Sequence, residues 1–259
     1  MHVILETKDL TIGFGKGKLK KVVTKNINLR FETGKLIAII GRNGAGKSTL
    51  LRTLARLQGA LDGFVLVDNK DINEFSNLEV AQKIGLVLTE KLPESNLTVY
   101  DIIALGRQPY TNWVGRLNQI DIQAIENAIS ITNIEHLRNK KHYEISDGQL
   151  QIVLIARALA QETPIIILDE PTTHLDLPHK ISLVRLLKNL AAHAGKCVVF
   201  STHDIELAIE NADLLVTISK GKILQGNANL MIKEGILDSL FDDEQIIFDR
   251  FKRKFVFKN

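Results

Sequence analysis

The amino-acid sequence predicts an α/β fold: a mainly parallel sheet, antiparallel strands near the N-terminal end, and a helical lobe inserted in the middle. Short apolar runs alternate with helical patterns, which is typical of parallel strands covered on both faces. Residues 1–40 instead alternate apolar and polar positions around a glycine-rich turn, which favours antiparallel strands. Between residues 97 and 159 apolar positions recur at spacings of three and four, which indicates helices.

Individual elements follow from the same patterns. Residues 36–40 predict a buried strand, and a helix opens at Thr49. Further elements are strands at residues 63–67, 84–88, 165–168, 197–200 and 214–218, and a helix at 179–194. The 259 residues are 45% hydrophobic, which supports one large domain. We expect this domain at residues 1–225, with the helical lobe at about 91–160 inserted in it, and a C-terminal extension at 226–259 that packs on it.

Charge and cysteine content narrow the class of protein. A net charge of +3 is mild and gives no reason to expect a nucleic acid partner. The single cysteine, Cys197, lies in an apolar run and cannot form an internal disulfide, which favours a reducing compartment. No segment approaches the roughly 18 apolar residues that span a bilayer. We therefore expect a chain that is not itself a membrane protein but can work beside one.

Residues 41–48 form the most informative motif and are called the phosphate loop below. They fit G-x-x-x-x-G-K-[ST], in which glycines let backbone N–H groups surround phosphate oxygens. Lys47 is expected to reach the β- and γ-phosphates, and the Ser48 hydroxyl to hold Mg²⁺. The expected nucleotide-binding residues here are Gly41, Arg42, Asn43, Gly44, Ala45, Gly46, Lys47, Ser48 and Thr49. The alternative is a glycine-rich turn beside a solvated lysine.

Two carboxylates follow the predicted strand at 165–168. Ligands of open α/β sheets gather at the carboxyl ends of strands, so Asp169 is placed to hold Mg²⁺. Glu170 is placed to polarise the water that attacks the γ-phosphorus. The alternative is an ordinary solvated strand end.

Three further motifs place polar residues near the ends of predicted helices and strands. Ser146 and Gly148 precede a helix near Leu150, and a helix N-terminus attracts anions, although this motif taken alone favours a simple N-cap by Ser146. Thr-His-Leu-Asp stands at residues 173–176, just past the paired carboxylates. His203 ends the strand predicted at 197–200 and would reach a γ-phosphate from the same sheet edge.

Taken in order, these motifs resemble the nucleotide-binding subunit of ABC transporters over roughly residues 1–225. The resemblance implies an ABC ATPase core of the P-loop NTPase class, with ATP and Mg²⁺ as its ligands. Glu170 matches the catalytic base and His203 the switch histidine of that family. Phe14 matches the aromatic that stacks on adenine, since a phenylalanine ring offers the needed π-face. The alternative role of Phe14 is a core aromatic beside a turn.

The resemblance also implies a head-to-tail homodimer that sandwiches two ATP molecules. Ser146, Gly148 and Gln149 match the signature segment, which contacts the ATP held by the second copy. Asp176 matches the loop that crosses the dimer interface. This arrangement explains why a phosphate-directed helix N-terminus lies in a different lobe from the phosphate loop.

Two positions depart from the family pattern. Asp147 stands where a second glycine is usual, and a carboxylate near phosphate is unfavourable unless it points away or is paired. Thr89 stands where a glutamine usually touches Mg²⁺ and the attacking water, and Glu90 follows it. We predict that Thr89 or Glu90 takes that role. Unchanged ATPase rates in both Thr89→Ala and Glu90→Ala would refute it.

The stretch at residues 97–117 is similar to importers of iron–siderophore complexes, haem and cobalamin. In such importers this segment docks the transmembrane permease subunits, so Tyr110 and Trp113 are candidate docking aromatics, with packing inside the helical lobe as the alternative. The resemblance implies a peripheral protein on the cytoplasmic face of the inner membrane. A solute-binding protein would then be an indirect partner.

Two alternative functions stand against a transport ATPase, together with one alternative role for the C-terminal tail. A soluble ABC-type ATPase could act on ribosomes or DNA, but such proteins carry two domains or long coiled coils, which this chain lacks. A P-loop kinase or GTPase leaves the motifs at Ser146 and His203 unexplained. The basic and aromatic tail at residues 248–259 fits an edge strand packed on its own domain better than a site for lipid or nucleic acid.

Overall fold

Strands and helices alternate along most of the chain. The structure is a computed structural model that describes residues 2–15, 19–88, 95–173, 175–219, 221–240 and 245–258. The strands in this part are β1 (Val3–Phe14), β2 (Lys21–Ile27), β3 (Arg30–Glu32), β4 (Leu36–Gly41), β5 (Asp62–Val67), β6 (Lys70–Asp71), β7 (Ile84–Val87), β8 (Ile165–Leu168), β9 (Cys197–Thr202), β10 (Leu214–Ser219), β11 (Lys222–Gly226), β12 (Ile246–Asp249) and β13 (Lys254–Phe257). The α-helices are α1 (Lys47–Leu54), α2 (Asn77–Lys83), α3 (Val99–Ala104), α4 (Gln119–Thr132), α5 (Asp147–Ala160), α6 (Leu177–Ala194), α7 (Ile205–Asn211) and α8 (Ala228–Lys233).

The central sheet is mainly parallel, as the sequence predicts. Its strand order is β11-β10-β4-β9-β8-β7, and only β11 pairs antiparallel to its neighbour. Every residue of β4, β8 and β9 is buried, because helices cover both faces. Since β4, β9 and β8 are adjacent and parallel, the segments that follow them emerge at one edge of the sheet.

The N-terminal strands form the expected antiparallel subdomain. Its order is β2-β1-β5-β6, with β3 also pairing with β1. Helix α1 packs between this subdomain and the central sheet, and Leu50, Leu51 and Leu54 share one buried cluster with Leu10 of β1 and Ile39 of β4. This packing fixes the phosphate loop, which joins β4 to α1, between the two sheets.

The helical lobe contains α3, α4, α5 and a 3-10 helix at Leu105–Tyr110. Gly106 allows the 3-10 helix to approach α5 closely, because a Cβ at Gly106 would lie 2.2 Å from the Arg157 carbonyl oxygen. Arg107, only 3% exposed, points inward and donates to the buried Asp121 carboxylate at 2.9 Å. It also donates to the Ala160 carbonyl at 2.7 Å and to Glu162 at 2.8 Å. Arg107 therefore ties α4 and the end of α5 to the 3-10 helix.

The chain after β11 continues with α8, a 3-10 helix at Leu237–Leu240, and a hairpin of β12 and β13. Leu237, Leu240 and Phe248 are buried in the same cluster as α6 and α7. The Phe248 and Phe255 rings meet edge to face, with centroids 5.1 Å apart. Nothing among the described helices has the combination of length and hydrophobicity that a membrane crossing requires.

Candidate phosphate-binding and catalytic site

The backbone of the phosphate loop has a shape that few sequences allow. Gly44 has φ +76° and Gly46 has φ +108°, both in the left-handed region that favours glycine. A Cβ at Gly46 would lie 2.6 Å from Val23 Cγ1. Gly46 caps α1 without a side-chain hydrogen bond, so the first N–H groups of the helix lack a side-chain cap. N–H groups without a side-chain cap can bind an anion, which is compatible with the phosphates predicted for the loop.

Lys47 is held inside the loop and is only 4% exposed. Its Nζ donates to the carbonyl oxygens of Gly41 at 3.0 Å and Arg42 at 3.3 Å. Burial lowers the pKa of Lys47, and the nearby carboxylates of Glu170 and Asp169 offset that lowering only in part. The ammonium group is therefore poorly solvated, which favours its interaction with a phosphate group.

Asp169 and Glu170 are fixed by a residue of the neighbouring strand. Asp169, 2% exposed, follows β8 and accepts a hydrogen bond from Ser201 Oγ of β9 at 2.6 Å. Ser201 Oγ also accepts from the Glu170 N–H at 2.8 Å. Glu170 adopts φ +49°, an uncommon conformation for a residue with a side chain. One serine thus orients both carboxylate residues at the edge of the sheet.

The Glu170 carboxylate contacts one histidine and one lysine side chain. His203 Nε2 lies 2.5 Å from Glu170 Oε1, and Lys47 Nζ lies 3.8 Å from the same oxygen. His203 Nδ1 is in turn 3.4 Å from Lys47 Nζ. The Glu170 side chain is 23% exposed, so it remains accessible to water. A carboxylate between a lysine and a histidine, at the mouth of a phosphate loop, can accept a proton from water or orient it.

Phe14 lies at the end of β1, and its ring is 51% exposed. It lines a cavity of about 600 Å³ together with neighbouring residues, among them Gln58 and Leu61. The Gln58 side chain donates to the Gly13 carbonyl and holds the end of the strand. An exposed ring face beside an open cavity can stack on a planar ligand.

The N-terminus of α5 carries the signature residues. Ser146 is the N-cap: its Oγ accepts from Gln149 N–H at 3.2 Å, and Gln149 Oε1 accepts from Ser146 N–H at 3.1 Å. Ser146 and Asp147 are exposed. Gly148 packs against Leu175, since a Cβ there would lie 3.0 Å from Leu175 Cδ2. Among the hydrogen bonds and ion pairs of the described residues, none joins Ser146 to Lys47.

Asp176 is the N-cap of α6 and explains why this helix begins before the predicted start at residue 179. Its carboxylate accepts from the His179 N–H at 3.1 Å and contacts the His179 ring. Hydrogen bonds from the His179 ring and its backbone N–H lower the pKa of Asp176. Asp176 is exposed, so it is free to face another chain.

The structure gives roles to two residues that the sequence analysis did not assign, Ser201 and Lys180. Some positions named in the sequence analysis lie outside the described residues. Ser201 is the first residue of the Ser-Thr-His-Asp motif at residues 201–204 and lies inside a buried strand. Because buried polar side chains are almost always hydrogen-bonded, this position could have indicated a structural role from the sequence. Lys180, which contacts Asp204 at 3.1 Å, carries no such signal. Thr89 and Glu90 lie outside the described part of the chain, so the role predicted for one of them stays a prediction. His174 of the Thr-His-Leu-Asp motif lies outside it as well.

Comparison with known proteins places this geometry in a family. The model of the ABC transporter family matches residues 24–173, which include the phosphate loop, the signature segment and the paired carboxylates. The chain belongs to the ABC transporter family. It is an ABC ATPase subunit, and members of this family bind and hydrolyse ATP.

Relatives match nearly the full chain. An ABC transporter ATP-binding protein of Methanocaldococcus jannaschii is 40% identical over 92% of this chain and 81% of its own. The ferric enterobactin transport ATP-binding protein of Escherichia coli is 36% identical over 95% of this chain and 89% of its own. The ATPase subunit described here thus aligns with transport ATPases well beyond the segment that the family model matches.

Solved structures agree with the fold. A metal-chelate type ABC transporter in an inward-facing conformation matches with a TM-score of 0.80 and 28% identity, over 98% of this chain and 96% of that one. A dimeric ATP-binding cassette in a post-hydrolysis state, bound to ADP and Pi, matches with a TM-score of 0.75 and 28% identity, over 87% and 99%. Cassettes of this family work as dimers with transmembrane permease components.

Proposed function

We propose that this subunit powers the import of an iron–siderophore complex, with haem and cobalamin as the other solutes of the class, from the cytoplasmic face of the inner membrane. The observation that carries the proposal is the near full-length similarity to a ferric enterobactin transport protein, joined by the likeness to a metal-chelate type transporter. No residue of an ATPase subunit need touch the solute, so its identity rests on this analogy.

The proposed docking surface for the permease is the segment at residues 105–114. Trp113 is 98% exposed, Val114 is 65% exposed, and Tyr110 keeps 37% of its surface exposed. Exposed aromatics next to one another are favoured anchors of protein interfaces. The buried ion pair of Arg107 with Asp121 attaches this segment to helix α4.

The residues present fit a bound ATP and one Mg²⁺ ion. The left-handed glycines, the free N-terminus of α1 and the buried Lys47 suit a polyphosphate, and Phe14 offers a face for adenine. Ser48 and Asp169 would hold Mg²⁺, with Thr89 as the further ligand expected from sequence. When bound, Mg²⁺ neutralises negative charge that develops on the phosphates.

In the proposed mechanism Glu170 is the general base and His203 its partner. Glu170 takes the proton from the attacking water, and His203 holds the carboxylate in place through the 2.5 Å contact. Lys47 leaves the carbonyl oxygens of Gly41 and Arg42 for the phosphates of ATP, whose charge replaces these weaker acceptors.

The site is completed by a second copy of the chain. Ser146, Gly148 and Gln149 of one protomer face the ATP of the other, and Asp176 crosses between them. The exposed Ser146 on a lobe separate from Lys47 supports this arrangement, as does the dimeric cassette among the solved structures. Asp147 adds a carboxylate at this surface and is expected to tune dimer closure. The division into a domain at 1–225 and an extension at 226–259 is part of the same proposal.

Mixing two inactive variants tests the dimer. Lys47→Ala and Ser146→Ala should each lose ATPase activity. A mixture should recover activity, because a mixed dimer contains one site with Lys47 and Ser146 both intact. For a two-fold dimer with independent sites, an equal mixture should reach about a quarter of wild-type activity. A mixture as inactive as its components would contradict the shared site.

Co-purification tests the transporter assignment. Tagged wild-type subunit, extracted with detergent from the membranes of cells that produce it naturally, should bring along a polytopic membrane protein. Trp113→Ala should lose this partner, whereas Phe251→Ala, which removes a fully exposed aromatic from the β12–β13 turn, should keep it. Purification with ribosomes or DNA instead, with no membrane protein, would support the non-transport alternative. If a membrane protein is recovered, uptake of a radiolabelled iron chelate that is lost in a Glu170→Gln variant would identify the solute class.

A further inference from the structure

An ion pair joins Lys180, which belongs to none of the predicted motifs, to Asp204, the last residue of the Ser-Thr-His-Asp motif. Lys180, in the first turn of α6, places its Nζ 3.1 Å from Oδ1 of Asp204. Asp204 follows His203 directly in the chain and is the N-cap of α7. The pair is partly shielded, with 25% of the Lys180 side chain and 34% of the Asp204 side chain exposed. It therefore joins helix α6 to the turn that carries the switch histidine.

The second oxygen of Asp204 reaches the segment after Glu170. Asp204 Oδ2 accepts a hydrogen bond from Thr172 Oγ1 at 3.0 Å, and Thr172 is 2% exposed. The backbone N–H of Asp204 donates to Thr202 Oγ1 at 3.0 Å, and the two threonine hydroxyls lie 3.3 Å apart. Both oxygens of one carboxylate are thus used, one toward α6 and one toward the Glu170 segment.

Helix α6 is itself attached to the predicted interface loop. The backbone N–H of Lys180 donates to the Asp176 carbonyl at 2.9 Å, and Asp176 caps the helix. Lys180 and Asp204 hence connect three segments: the loop of Asp176, the segment of Glu170 and the turn of His203. The ion pair is a direct contact between helix α6 and the turn of His203, and Asp204 connects both to the segment of Glu170.

We infer that Lys180 is a positioning residue for ATP hydrolysis, which acts through Asp204 to hold His203 against Glu170. This inference rests on the proposed roles of Glu170 and His203. A partly exposed ion pair contributes little to the stability of a fold. Its effect on a side chain that must meet a carboxylate at 2.5 Å is larger, because small displacements of catalytic groups reduce rates strongly.

The experiment compares single and double variants of the purified full-length subunit by kcat, KM for ATP and melting temperature. Lys180→Met removes the charge, and Lys180→Arg keeps it. Lys188→Met removes a charge from an exposed position on the same helix and is the matched control. Asp204→Asn removes the partner charge and keeps an acceptor for Thr172.

We expect Lys180→Met to lower kcat about tenfold with KM for ATP changed less than about twofold, since positioning is lost but nucleotide contacts remain. Lys180→Arg should keep more than half of the wild-type kcat, and Lys188→Met should match wild type. In the Asp204→Asn background, Lys180→Met should cost less than about twofold, as coupled residues do not act additively. Raising the salt concentration should lower kcat in wild type more than in Lys180→Met, because salt screens a partly exposed pair.

Several results would overturn the inference. A wild-type kcat in Lys180→Met would do so, as would an additive loss in the double variant. A melting temperature that falls in step with kcat would assign Lys180 a role in folding alone. His203→Ala, measured alongside, distinguishes failure of the inference from failure of the proposed function. A wild-type kcat in His203→Ala would remove the proposed role of His203. A low kcat in His203→Ala together with a wild-type kcat in Lys180→Met would remove only the role of Lys180.

Discussion

Replacing Arg107 by methionine tests whether the helical lobe depends on a buried ion pair. The guanidinium is 3% exposed and its partner Asp121 is 1% exposed. Methionine keeps much of the volume and removes the hydrogen bonds to Asp121, Ala160 and Glu162. Asp121 retains the backbone N–H of Asn118 at 2.9 Å, so its carboxylate is left with part of its hydrogen bonding.

The expected loss can be worked out from these contacts. Removing one partner of a buried ion pair typically costs about 3–5 kcal/mol, because the other charge stays buried without compensation. The remaining Asn118 N–H places Arg107→Met near the lower end, at about 3 kcal/mol of unfolding free energy. For a domain of this size that corresponds to a fall in melting temperature of about 6–12 °C.

Thermal unfolding followed by circular dichroism measures this loss. Arg116→Met, at an exposed position of the same lobe, is the control and should stay within about 0.5 kcal/mol of wild type. Arg107→Met/Asp121→Asn should be more stable than Arg107→Met, because the uncompensated charge is gone while an acceptor for Asn118 remains. A melting temperature of Arg107→Met within 2 °C of wild type would refute the reasoning.

Three other predictions concern close contacts and burial. Gly46→Ala should abolish ATP binding, measured by calorimetry, because the residue has φ +108° and its new Cβ would lie 2.6 Å from Val23 Cγ1; a normal binding constant would contradict it. Gly106→Ala should lower the unfolding free energy by more than about 1 kcal/mol, since the new Cβ would lie 2.2 Å from the Arg157 carbonyl oxygen; unchanged denaturant unfolding would count against the close approach. Burial raises the pKa of the Cys197 thiol to about 12, so iodoacetamide at pH 8 should alkylate it only after unfolding, as mass spectrometry can follow. Rapid alkylation of the folded chain would show that the thiol is accessible.

Much of the fold is visible in the sequence because its signals are local. The strand predicted at 36–40 is observed at Leu36–Gly41, and the helix predicted to open at Thr49 begins two residues earlier at Lys47. The start of α6 was placed two residues late, because the cap by Asp176 depends on where its side chain turns and not on apolar spacing. The contacts of Arg107 could not be predicted from the sequence. Its partners Asp121 and Glu162 stand 14 and 55 positions away in the chain, so no local pattern indicates that they meet.

The sequence by itself determined the backbone of the phosphate loop and the position of two carboxylates directly after β8. Glycines that permit φ above zero, a buried strand before the loop and a helix after it are properties of consecutive residues, fixed by backbone sterics and short-range hydrogen bonds. Only the tertiary structure decided that Lys47, Glu170 and His203 meet. They meet because β4, β9 and β8 lie side by side, and that order is set by packing on both faces of the sheet. The link from Lys180 to Asp204 has the same origin, since it joins residues that stand 24 positions apart in the chain.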